Sequence, residues 1–81
     1  MNKERRALMS VSEKVKAVLT LSGKKQMDLA EHFDMSKQVM SNKMARDSWS
    51  AKDLARVAEF TGCKVGFILP DGQCIYIDAD E

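Results

Sequence analysis

Residues 24–46, KKQMDLAEHFDMSKQVMSNKMAR, decide the fold. Read at helical spacing they form two short amphipathic segments, with Met27, Leu29, Ala30 and Phe33 in the first and Val39, Met40 and Met44 in the second. Phe33-Asp34-Met35-Ser36 joins them. Asp34 is one of the few residue types besides glycine that tolerate a left-handed backbone, and Ser36 is a good N-cap for the helix that follows. Helix, three-residue turn, helix is the layout that carries a second helix into the major groove of DNA.

The same residues carry a family resemblance. Gln26, Leu29-Ala30, Asp34 in place of the usual glycine, Met35, Ser36, Met40 and Ser41 stand at the spacing Q-x-x-L-A-x-x-x-G-V-S-x-x-x-I-S. From about Val11 to Gly62 the chain resembles the lambda-repressor-like (Xre-type) helix-turn-helix family. The resemblance implies a mainly α fold of four to five helices, here followed by a C-terminal β-hairpin, and a DNA-binding transcriptional regulator. It also implies that Ser36, Lys37, Gln38 and Asn42 read bases and that Gln26, in the first turn of its helix, bonds a phosphate oxygen.

Outward from this stretch, the chain reads as one domain over residues 1–81: a basic segment at 1–9, a helical part at 10–62 and a hairpin at 63–78. The basic segment holds Lys3, Arg5 and Arg6, which suit either an arm on DNA or an extra helical turn. Ser10-x-x-Glu13 is a capping box, Val11, Val15, Val18 and Leu19 form one stripe, and Ser22-Gly23 ends this first helix. The second and third helices are expected over about 25–33 and 36–45. Ser50-x-x-Asp53 caps a fourth, with Trp49 placed to pack on Leu54 and Gly62 to stop the helix.

The third helix is the candidate reader. Met40 and Met44 face the core, leaving Ser36, Lys37, Gln38, Ser41, Asn42 and Val39 on or near the outward face. Lysine can donate to guanine O6 and N7, and Gln or Asn can pair with adenine. Any short surface helix is rich in such residues, but this one has an added property. From Met35 to Arg46 there are Lys37, Lys43 and Arg46 and no Asp or Glu, as a helix close to phosphates requires. Lys43 and Arg46 are the further candidate phosphate contacts.

Net charge is only +1, from 13 Lys/Arg and 12 Asp/Glu, but it is unevenly placed. Residues 1–52 hold eleven basic against six acidic side chains, and residues 53–81 two against six. One side thus suits phosphate and the other protein or solvent. A single His, no clustered carboxylates beside it and no Gly-rich phosphate loop argue against an enzyme. No metal, cofactor or small-molecule substrate is expected. The apolar run from Val11 to Leu21 is broken by Glu13, Lys14 and Lys16, so neither a signal peptide nor a membrane span is expected and a cytoplasmic location is.

In the tail, Val65, Phe67 and Leu69 alternate, then Ile75 and Ile77, around Pro70-Asp71-Gly72: a strand, a turn and a strand. Leu69 should pair Gln73. Val65, Phe67, Leu69, Ile75 and Ile77 then share the face expected to cover the helices, and Ile68, Cys74 and Tyr76 share the other. Two open edges and a second apolar face ask for another chain, so Ile68, Cys74 and Tyr76 are the candidate dimerisation residues. Cys63 and Cys74, roughly 15–20 Å apart at about 3.3 Å per residue, are read as reduced thiols. The expected protein is a homodimeric, sequence-specific repressor of an inverted-repeat operator. The alternative is a helix-turn-helix scaffold acting through its hairpin as an adaptor or inhibitor.

Overall fold

A computed structural model describes residues 9–79. In chain order they form α1 (Val11–Leu21), α2 (Gln26–His32), α3 (Lys37–Arg46), α4 (Ala51–Thr61), β1 (Gly66–Ile68) and β2 (Cys74–Tyr76). The basic segment expected at 1–9, including Lys3, Arg5 and Arg6, lies outside the described residues, Met9 apart. Among the described residues no helix is long and apolar enough to cross a membrane.

The helix ends follow from local chemistry. Ser10 Oγ accepts from the Glu13 amide at 3.1 Å and Glu13 Oε1 accepts from the Ser10 amide at 3.2 Å, closing the capping box of α1. Gly23 at φ 73° turns the chain, and the Lys24 amide reaches Leu19 O. At α2 the N-cap is Lys25, whose side chain offers no acceptor; Asp28 instead takes the Lys25 amide at 3.3 Å. Asp34 adopts φ 57°, as its residue type allows, and the Met35 amide closes the corner on Ala30 O at 2.9 Å. Ser36 lies outside α3 as its N-cap, accepting from the Val39 amide at 3.1 Å. Ser50 and Asp53 cap α4, and Gly62 at φ 76° ends it.

Val15 and Leu19 of α1, Leu29, Ala30 and Phe33 around α2, Met40 and Met44 of α3, and Val57 of α4 form one buried core. Leu29 and Met40 have no exposed surface, which places the helix-turn-helix pair at its centre. Truncating such a side chain costs about 2–5 kcal/mol, so the core fixes the corner as well as the helices. Met27 does not join, being 52% exposed. Lying two residues from Leu29, it points about 200° away around the helix.

The hairpin register is the expected one. Gly66 opposes Tyr76, Phe67 opposes Ile75 and Ile68 opposes Cys74, with Leu69 N donating to Gln73 O at 2.8 Å and Gly72 in the left-handed turn position. Its placement differs from expectation. Phe67 is 66% and Ile75 59% exposed, so the face assigned to the helices lies open at its middle, while Val65, Leu69 and Ile77 are half-buried. The helices satisfy their apolar stripes on one another, and two three-residue strands are too short to lie across them. Among the described residues the hairpin borders the helical body at its root. There Val65 borders an apolar cleft of about 270 Å³ that also meets Val11, Val15, Val18, Leu54 and Val57. Cys63 and Cys74 are free, exposed thiols.

Candidate nucleic-acid interface

Burial of Met40 and Met44 fixes which way α3 faces. Ser36, Lys37, Gln38, Val39, Ser41 and Asn42 are all exposed over the first two turns. The Ser36 hydroxyl oxygen is engaged by the Val39 amide, leaving its O–H to donate outward. Gln38 Nε2 donates to Asn42 Oδ1 at 3.1 Å, so these two candidate readers touch across one helical turn. Gln26 is half-buried at the first position of α2, and Arg46 is exposed in the last turn of α3. Gln38 and Asn42 thus share a face of α3, Lys37 is exposed at its first position, Ser36 caps it and Arg46 lies further along the same helix.

Lys43 is placed differently from the phosphate role expected of it. Its ammonium donates to Asp53 Oδ2 and to Ser48 O, both at 2.7 Å, and lies 5.0 Å from the centre of the Trp49 ring. Only 13% of the Lys43 side chain and 20% of that of Asp53 are exposed. Lys43 therefore ties α3 to the start of α4. Burial pushes the Asp53 carboxyl up, but hydrogen bonds from Lys43 and the Ser50 amide, with the Lys43 charge, outweigh it and hold Asp53 below the usual aspartate value. Sequence spacing suggested an exposed lysine because it does not show the chain doubling back at Asp47–Ser50.

A second group of polar residues was not singled out from the sequence. Ser12 is buried on α1; its Oγ donates to Met44 O at 2.7 Å and accepts from Trp49 Nε1 at 2.9 Å. The Ser12 amide donates to Asp47 Oδ1 at 2.7 Å. That bond, with the Ser12 hydroxyl, lowers the Asp47 carboxyl below its ordinary range. Asp47 itself ends α3 in a left-handed conformation, φ 56°. A signal was present: Ser12 continues the Val15–Leu19 stripe by one turn, a polar residue at a core position.

On the hairpin, Ile68, Cys74 and Tyr76 are exposed. Tyr76 borders a cleft of about 280 Å³ against Ala55, Ala58 and Glu59 of α4, and the Lys64 ammonium lies 5.5 Å from its ring centre.

Two short helices set by a left-handed corner, the second presenting an acid-free polar face, define the class of helix-turn-helix domains. The family model of the bacteriophage CI repressor helix-turn-helix domain matches residues 15–69, and the chain belongs to that family. The chain is similar to the repressor protein CI of Enterobacteria phage phi80, with 34% identity over 62 residues that cover 76% of this chain and 26% of that repressor. It thus spans about a quarter of that relative's length. No solved structure matches.

Proposed function

We propose that this chain binds duplex DNA in a sequence-specific manner as the reading domain of a dimeric transcriptional repressor. The observation that carries the proposal is the exposed face of α3. Ser36, Lys37, Gln38 and Asn42 are exposed at the N-cap and over the first two turns of a helix that Met40 and Met44 lock into the core. No carboxylate occurs from Met35 to Arg46, and the one that follows, Asp47, is turned onto the Ser12 amide. Lys37 donates to guanine, Gln38 and Asn42 to base edges, and Gln26 and Arg46 hold phosphates. Lys43 is left to its internal partners. Similarity to a protein named as a repressor supports the same reading.

Dimerisation through the hairpin, with Ile68, Cys74 and Tyr76 at the contact, would set two α3 helices about 34 Å apart on successive major grooves. The test is selection of bound duplexes from a random library at near-physiological salt. An inverted repeat with half-sites about 10–11 base pairs apart is the expected product. A second reading, an adaptor or inhibitor acting through the hairpin, is favoured by the exposure of Phe67 and Ile75. It predicts folded protein that enriches no sequence, and that outcome would refute the DNA reading.

A further inference from the structure

α3 is held on its inner side by Met40 and Met44 and tied to the start of α4 by Lys43, but apolar contacts are non-directional and resist a small tilt less sharply than hydrogen bonds do. Directional restraint comes from its last turn. The carbonyl of Met44, one of the four that a helix end leaves without an intrahelical partner, accepts the Ser12 hydroxyl at 2.7 Å. Asp47, the residue that closes α3, accepts the Ser12 amide at 2.7 Å, an orphan donor in the first turn of α1. Trp49 Nε1 donates to the same Ser12 hydroxyl at 2.9 Å, and the Trp49 ring stands edge-on to Phe33 with centroids 6.3 Å apart. One buried serine therefore joins the end of α3, the start of α1 and the segment leading into α4.

We infer that Ser12, Asp47 and Trp49 form a latch that fixes the direction of α3, and that they act as positioning residues for base reading. The inference rests on α3 being the reader. With Met40 and Met44 as the pivot, the first residues of α3 lie about 7.5 Å away, so a tilt of about 10° moves them by about 1.3 Å. Lys37 and Gln38 are those first residues. Useful hydrogen bonds lie within about 2.7–3.2 Å, so a displacement of that size removes a base contact without unfolding the domain. Ordinary core packing cannot supply this control, because alanine at position 12 keeps the apolar contacts yet leaves Trp49 Nε1 without its partner and Met44 O with only the Asp47 amide.

Four variants test it. Ser12→Ala removes the hydroxyl. Asp47→Gly keeps the left-handed turn but removes the acceptor, whereas Asp47→Asn keeps both. Trp49→Phe removes the N–H together with part of the ring, and serves if Ser12→Ala does not fold. Two readouts are taken at a temperature where circular dichroism shows each variant fully folded. Residual dipolar couplings of the α3 amides, measured without DNA, should report a rotated or more mobile α3 in Ser12→Ala and Asp47→Gly and the parental direction in Asp47→Asn. Affinity for the selected duplex should fall about tenfold, the cost of misaligning one base contact, while affinity for a scrambled duplex changes less than about twofold. Unchanged couplings and an unchanged ratio of the two affinities, with only the melting temperature lowered, would overturn the inference. If the parent protein selects no duplex the DNA reading fails, and the couplings still decide whether the latch exists.

Discussion

Replacing Lys43 by Ala separates two roles that a lysine in a recognition helix can play. Here the ammonium is 2.7 Å from Asp53 Oδ2 and 2.7 Å from Ser48 O, beside the Trp49 ring. Removing one member of a fully buried pair costs about 3–5 kcal/mol. This pair keeps some contact with water, and Asp53 retains the Ser50 amide at 3.0 Å, so about 2 kcal/mol is expected. For a domain of this size that corresponds to a fall in melting temperature of roughly 8–16 °C. A cycle with Asp53→Ala should give a coupling of about 1–2 kcal/mol. DNA affinity is then measured as a function of salt at a temperature where the variant is folded. Lys43→Ala should leave the slope of log K against log [salt] unchanged, whereas Arg46→Ala should reduce it by about 0.9 with little effect on melting. A Lys43→Ala protein that melts like the parent and loses about 0.9 in slope would refute the internal role and return Lys43 to the phosphates.

Acid should weaken the domain through the same region. Asp53 and Asp47 both have carboxyls lowered in the folded state, so the stability they contribute is present above the unfolded value of 3.8 and lost as pH falls through the lower folded values. Melting temperatures measured from pH 2 to 6 should decline below about pH 4, and the decline should be shallower in Asp53→Asn. A Cβ at Gly66 would run into the Ile75 carbonyl oxygen and the Tyr76 Cα, so Gly66→Ala should break the strand pairing. Hydrogen exchange should show lost protection at the Leu69 and Ile77 amides with the α1–α4 amides unchanged. Ile68→Asp, on the exposed hairpin, should abolish the proposed hairpin dimer in sedimentation velocity without lowering the melting temperature of the helical part.

The helical part was legible because each decisive element has a local cause. Ser10, Ser36 and Ser50 cap three helices by bonds within three residues, and Asp34 turns the corner through its own backbone preference. The hairpin register was legible for the same reason, since the Pro70-Asp71-Gly72 turn fixes which residues oppose each other. Interactions between elements distant in sequence were not. Ser12 is 32 residues from Met44, 35 from Asp47 and 37 from Trp49, and its place on the Val15–Leu19 stripe marks a buried hydroxyl without identifying those partners. The hairpin's position fails for a related reason: alternation shows which residues share a face, but only the packing of the helices shows whether that face is needed. Lys43 was assigned from its helix position and the company of basic residues, whereas its partners Ser48 and Asp53 come from a chain reversal beyond the helix.

The most direct test of α3 as the reading element is a chemical-shift map of isotope-labelled protein titrated with its selected duplex and with a scrambled one. The selected duplex should shift the amides and side-chain amides of Ser36, Lys37, Gln38 and Asn42 most strongly, with Gln26 and Arg46 moved by both duplexes. Shifts centred on residues 66–76 with α3 unmoved would contradict it and assign the hairpin as the working surface.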